Sequence, residues 1–152
     1  MVESGDPQFA KYMYLCNNYS KKYFRKNSSS SFINKFDWHL ILNPNGDKIA
    51  LVSMYFDKTQ NITLDLQPII IMCDIVGPSC INERSLQILK KIYPKGTWAE
   101  TINTAFSTTE YHRVCTNYLG EIRITVVGED MKELDLPEGN MYMTIDIQRI
   151  GK

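Results

Sequence analysis

Two histidines, four cysteines and a scatter of carboxylates are the residues of this chain with the means to do chemistry. His39 and His112 are the side chains whose ordinary pKa puts proton transfer near neutral pH. Cys115 follows His112 by three positions. A nucleophilic pair needs thiol and imidazole in contact, and in an extended segment positions i and i+3 lie on opposite sides, so the spacing argues against one. Cys16, Cys73, Cys80 and Cys115 form no Cys-x-x-Cys pair. They read as reduced thiols in or near a core and not as a metal site. Asp57, Asp65 and Asp74 fall on separate expected strands, and no spacing selects a carboxylate pair for hydrolysis. The glycines are isolated at turns, so neither a phosphate loop nor a dinucleotide fingerprint is present. No catalytic residue, metal or cofactor is expected, and the chain reads as not an enzyme.

One charged cluster remains: Lys21, Lys22, Arg25 and Lys26, interleaved with Tyr23 and Phe24. Basic side chains among aromatics suit contact with an anionic lipid surface or a nucleic-acid backbone. The plainer alternative is a solvated helix end. Upstream, Phe9, Tyr12, Met13, Cys16, Tyr19 and Tyr23 recur at spacings of three and four, which predicts an amphipathic helix over residues 7–24. A serine run at residues 28–31 follows as a flexible connector. The chain thus divides into an N-terminal arm, residues 1–30, and a single globular domain, residues 31–152. The stripe of Phe9, Tyr12, Met13, Cys16 and Tyr19 needs a cover. Docked on a neighbouring copy it makes a self-association contact that propagates; docked on its own body it is a structural element.

The elements that would carry the body are mostly strands. Ile122, Ile124 and Val126 alternate with Glu121, Arg123 and Thr125, and Met141, Met143, Ile145 and Ile147 alternate with Tyr142, Thr144, Asp146 and Gln148. Period-two alternation in β-branched residues marks half-buried strands. Residues 37–43 and 48–56 read as a hairpin closed by the turn Asn43-Pro44-Asn45-Gly46-Asp47. Further strands are expected over residues 61–67, 69–76 and 111–118. Two helices are expected between them. One runs over residues 82–93 behind Asn82, with Leu86, Leu89 and Ile92 on its apolar side. The other starts at Thr97, which forms a capping box with Glu100. The predicted fold class is α+β: a mainly antiparallel sheet with two central helices and an N-terminal amphipathic helical arm.

The bulk numbers exclude several function classes. Seventeen basic residues balance seventeen acidic ones, so the whole chain exerts no pull on nucleic acid or anionic membrane, and any such attraction must be local. No apolar run reaches the length of a transmembrane helix, and the N-terminus is polar within a few residues, so neither a span nor a secretory signal is expected.

Two segments resemble matrix proteins of negative-strand RNA viruses. Residues 100–113 resemble the helix-to-strand segment of bornavirus matrix protein, with Ile102, Asn103, Ala105, Phe106, Tyr111 and Arg113 carrying the match. Residues 118–127 resemble a Tyr-x-Gly-x-Ile strand start in rhabdovirus matrix proteins, here Tyr118, Gly120 and Ile122. The resemblance covers a minor part of the chain, and the sequence departs from the family in lacking Pro-Pro-x-Tyr and Pro-Thr/Ser-Ala-Pro budding motifs. It implies a non-enzymatic structural protein of the virion that self-associates into homo-oligomers and bridges nucleocapsid and membrane. Its partners would be itself, an anionic membrane surface and viral nucleoprotein–RNA. Its place would be the host cytoplasm and the virion, with peripheral membrane association. Two other classes stay open: a small cytosolic binding module with an apolar pocket or sheet surface, and an enzyme with a dispersed site.

Overall fold

The computed structural model describes residues 12–16, 30–77, 79–81 and 84–149. Period-two alternation governs most of it. In β10 (Tyr118–Val127), Ile122, Ile124 and Val126 are wholly buried while Glu121 and Arg123 are exposed. In β11 (Met141–Gln148), Met141, Met143, Ile145 and Ile147 are buried in the same way. Stiff, β-branched side chains pack well on a pleated face, so such runs become sheet wherever a partner takes up their backbone hydrogen bonds.

The partners come from distant parts of the chain. Sheet I has the order β1 (Tyr12–Cys16), β11, β3 (Lys48–Phe56) and β8 (Thr104–Ala105), with β9 (His112–Arg113) also paired to β3. Sheet II has the order β2 (Ser31–Ile41), β10, β4 (Ile69–Cys73) and β7 (Ile88–Ile92). A separate hairpin joins β5 (Ser79–Ile81) to β6 (Arg84–Leu86). All of these pairings are antiparallel. The early strands pair with the late ones in reverse order: β1 with β11, β2 with β10, β3 with β8 and β9, β4 with β7. One long hairpin folded over itself into two stacked sheets is the jelly-roll arrangement.

A single core fills the space between the sheets. Ile49, Leu51, Phe56 and Ile145 of sheet I meet Phe32, Ile71, Leu119 and Ile122 of sheet II. Burying each such side chain contributes roughly 1.5–3 kcal/mol relative to leaving it in water. One polar tie closes the rim. The buried Asn34 of β2 accepts from the Cys16 N–H at 2.9 Å and donates to the Cys16 carbonyl at 2.7 Å, which joins the edge strands of the two sheets.

The expected α+β fold, with two central helices and an N-terminal helical arm, is not what forms. Among the described residues there is one short helix, α1 (Trp98–Ile102), and one 3-10 turn at Thr59–Asn61. Residues 12–16 are strand. Tyr12, Met13 and Cys16 have helical spacing, but the same stretch also alternates, with Met13 and Leu15 buried and Tyr14 64% exposed. β11 has an edge to offer, and five paired positions from Tyr12↔Asp146 to Cys16↔Tyr142 outweigh a mediocre helix propensity.

The helix expected over residues 82–93 is β6 and β7 instead. β4 is apolar on both faces and takes β7 on its second edge, Ile69↔Ile92 and Met72↔Ile88. A register shift between Ile71 and Met72 absorbs the three-residue spacing that mimics a helix. At Thr97 the expected N-cap forms, as the Thr97 half of a capping box. The Glu100 N–H donates to Thr97 Oγ1 at 3.2 Å. The helix ends at Asn103 because Asn103 Oδ1 accepts from the Phe56 N–H at 2.7 Å and the next two residues join β3 as β8.

The turn at residues 43–47 is real: the Asp47 N–H donates to the Asn43 carbonyl at 2.8 Å, and Asp47 Oδ2 accepts from the Asn43 N–H at 2.8 Å. It does not close a hairpin. β2 pairs with β10 and β3 with β11, so the turn is a corner between sheets. Residues 61–67 form no strand. Ile62 and Leu64 pack on the core from a loop, and the Leu64 carbonyl accepts from Trp98 Nε1 at 2.8 Å. Over residues 111–118, only β9 and a bridge between Val114 and Val76 precede β10.

Candidate functional site

Each sheet spends one face on the core, so recognition chemistry must come from the outer faces and the rims. On sheet I, Tyr14, Thr144, Ser53 and Ala105 stand opposite one another in a row across β1, β11, β3 and β8. The next row holds Tyr142 opposite Tyr55. Opposed positions present their side chains on one face. That face is open: Tyr55 is 50% and Tyr142 37% exposed. Their rings lie 6.2 Å apart and tilted by 35°, inside the range of attractive aromatic pairs.

These two rings border a concavity of about 350 Å³, lined also by Ser53, Asn103, Thr104, Ala105 and Thr144. The lining carries no carboxylate, amine or imidazole. Small residues make its floor, phenol rings its wall, and hydroxyl and amide groups its polar margin. Such a surface suits a flat apolar or aromatic group with one hydrogen-bonding end. At the far end of the same face the chain covers itself. The Tyr111 hydroxyl donates to Asp146, and Asp146 and its pair Ala50 are buried. Lys90 holds the covering loop, with Nζ 3.2 Å from Glu110 Oε1 and 4.9 Å over the Phe106 ring.

The second aromatic cluster lies on sheet II. The pairing of β2 with β10 jumps from Leu119↔Leu40 to Glu121↔Lys35, so residues 36–39 bulge out opposite Gly120. The Trp38 ring stacks on Phe36 at 4.5 Å and 13°, and His39 stacks on Tyr118 at 5.2 Å and 25°. A Cβ at position 120 would meet the Tyr118 ring at 2.8 Å, so glycine is what lets this ring lie against its own strand. Trp38 stays 44% and Ile41 61% exposed. A bulged edge resists the addition of a further strand, so this rim offers side chains and not a free ladder.

Cys115 Sγ donates to the Asp74 carbonyl at 3.4 Å and accepts from Gln87 Nε2 at 3.6 Å. Tyr111, His112, Arg113 and Cys115 border a cavity of about 510 Å³, with His112 Nε2 buried and without a hydrogen-bond partner. Burial pushes the Cys73 thiol up to about 12, which keeps it protonated and unreactive. Partial burial also raises the Asp74 carboxyl above the usual aspartate range, although the Arg123 N–H, donating at 2.9 Å, pulls it down. Asp57 is engaged elsewhere, accepting from the Asn140 N–H at 2.8 Å.

Of the residues expected to carry self-association, Met13 and Cys16 are buried in their own chain. Tyr12 lies in β1. Phe9 and Tyr19 fall outside the described residues, as do Lys21, Lys22, Arg25 and Lys26. Sequence reasoning missed Tyr14, Tyr55 and Trp38 as surface groups. The alternation of β1 and β3 was the available signal: it sets Tyr14 against Met13 and Leu15, and Tyr55 against Met54 and Phe56.

No protein-family model and no curated protein matches this chain. No helix among the described residues is long and apolar enough to cross a membrane. Among the described residues, no group of three or more His, Cys, Asp or Glu is placed to hold a metal ion.

Proposed function

We propose that this chain is a self-associating structural protein that binds copies of itself through exposed aromatic surfaces. One observation carries the reading. Large aromatic side chains stay exposed on both sheets of a closed sandwich, Tyr14, Tyr55 and Tyr142 on the outer face of sheet I and Trp38 and Tyr118 at the bulged rim of sheet II. Aromatic groups of this kind are what protein interfaces are enriched in. The formal net charge of zero adds support, because copies of a neutral chain do not repel one another. Jelly rolls serve in shells and in ligand-binding domains alike, so the surface and not the fold selects between them. The bridging role toward anionic lipid or nucleoprotein–RNA belongs to Lys21, Lys22, Arg25 and Lys26.

Light scattering across a concentration series tests the proposal. The mean mass should rise with concentration, and the rise should survive high salt, because the sheet I concavity is uncharged. A monomer at every concentration would falsify the reading. A monomer stabilised by an added ligand would point to the binding-module class instead.

A further inference from the structure

We infer that the cavity bordered by residues 111–115 is a binding site for a small organic oxyanion, a phosphate or carboxylate carried on a ring, with Arg113 and His112 as its anchors. The site shares no residue with the aromatic surfaces proposed above to join copies, and the inference stands apart from that reading. Four observations lead to it. First, the cavity lies between fixed walls. It encloses about 510 Å³ between Pro44 of the corner turn, Gly77 and residues 111–115. The Val114 N–H donates to the Asp47 carbonyl at 3.3 Å, the Cys115 N–H to the Ile75 carbonyl at 2.8 Å and the Gly77 N–H to the Arg113 carbonyl at 2.7 Å. A site pinned this way before binding loses little freedom when a ligand enters.

Second, the lining is one-sided in charge. It holds Arg113 and His112 and no carboxylate. The carboxylates of this end of the molecule are engaged elsewhere. Asp47 Oδ2 lies 3.5 Å from Arg149 Nε and accepts from the Asn43 N–H, Asp74 Oδ1 accepts from the Arg123 N–H at 2.9 Å, and Asp146 accepts from the Tyr111 hydroxyl. Third, Arg113 stands directly opposite Lys48 in the pairing of β9 with β3. Like charges at opposed positions repel. Among the described residues neither cation has an ion-pair partner. An oxyanion from outside supplies the missing counter-charge, and the planar fork of arginine matches the paired oxygens of phosphate and carboxylate. Fourth, His112 Nε2 is buried and, among the described residues, has no hydrogen-bond partner. A buried polar atom left unmatched calls for a group that completes it, and an imidazole N–H donating to an oxyanion is such a match. The Tyr111 ring, Pro44 and Val114 line the same space, and these apolar walls suit the ring that carries the anion.

Titration of the full chain with phenyl phosphate and with benzoate, read by calorimetry and by thermal shift, tests this. At least one of the two should bind saturably with a Kd below about 10 mM, and the tighter one names the oxyanion. Sodium chloride at equal ionic strength should not displace it. Arg113→Gln and His112→Leu should each weaken binding about tenfold or more, as for loss of a charge-assisted hydrogen bond. His112→Gln keeps an N–H donor and should recover most of the affinity. Without ligand, Arg113→Gln should melt no lower than the wild type, because it removes a like-charge contact, so its weaker binding is not a loss of fold. If His112→Leu melts early, Arg113→Gln and His112→Gln carry the test. Absence of saturable binding by both probes, displacement by chloride, or an Arg113→Gln variant that binds like the wild type overturns the site. None of these results bears on self-association, which the light-scattering series reads separately.

Discussion

The two outer faces of this sandwich solve the same problem in opposite ways. Sheet II carries Ile70, Ile88 and Val127 outward, and the chain covers them itself with Leu86, Met72 and Met131. To do so it holds Met131 at φ 64°, in the left-handed region that costs a non-glycine residue on the order of 1 kcal/mol or more. Sheet I carries Tyr14, Tyr55 and Tyr142 outward, and among the described residues nothing of comparable size covers them. An aliphatic face has no favourable relation with water and must be closed within the chain. A tyrosine face keeps its hydroxyls hydrated while retaining a large apolar area, so it can wait for a partner. Where a chain leaves rings uncovered beside a second face that it closes at a backbone cost, the open face is the one to examine for function.

Equal truncations on the two faces should therefore have unequal effects. The largest is expected on sheet II. Ile70→Ala opens the small cluster under Met131 and should cost about 2–5 kcal/mol in urea or thermal unfolding. A loss below about 1 kcal/mol would mean that this cluster is loosely packed and that the two faces differ little.

Next in size is a change at the margin of the sheet I concavity. Thr97→Ala removes the hydroxyl that accepts from the Glu100 N–H and should cost about 1 kcal/mol. Because α1 leads directly into Asn103, which lines the concavity, the variant should also associate less tightly. Unchanged unfolding would show that this short helix does not depend on its cap.

Tyr142→Ser should change the stability of the monomer by less than about 0.5 kcal/mol, the usual scale for exposed positions. Its effect should appear in the concentration dependence of mass. If the melt falls by several kcal/mol while assembly is untouched, tyrosine is structural there and the comparison of faces fails.

The smallest effect concerns Asp74. Its folded-state pKa lies above the unfolded value of 3.8, so the folded chain holds the proton more firmly. Stability from this group is therefore present at low pH and is lost as pH rises from the unfolded value through the folded one. Asp74→Asn keeps an acceptor for the Arg123 N–H and removes that slope. The variant should be as stable as the wild type or slightly more so at neutral pH, and the advantage should vanish in acid. Lower stability at neutral pH would mean that the charge, and not the acceptor, matters.

What the sequence by itself determined was the set of residues that face a core. Ile124 and Ile145 alternate with polar neighbours, Leu40 with His39 and the exposed Ile41, and all three are buried, because period two commits a side chain to one side of any strand it joins. It also determined the Thr97 cap and the turn at residues 43–47, which depend on atoms within a few positions. Tertiary structure decided which strands pair. The turn after β2 reads locally as a hairpin, yet two strands that each expose an apolar face can bury it by stacking as well as by sharing a sheet. Tertiary structure also decided that residues 12–16 and 88–92 are strands, because the unpaired edges of β11 and β4 took them against their helical spacing. The candidate site was least legible. Alternation shows that Tyr55 and Tyr142 point outward, but only the register across β11, β3 and β8 sets them around one hollow, and only the jump opposite Gly120 takes residues 36–39 out of the ladder between β2 and β10. Burial is dictated residue by residue from local pattern, whereas adjacency between strands is a contest among all free edges at once, and that contest is settled only when the whole sandwich closes.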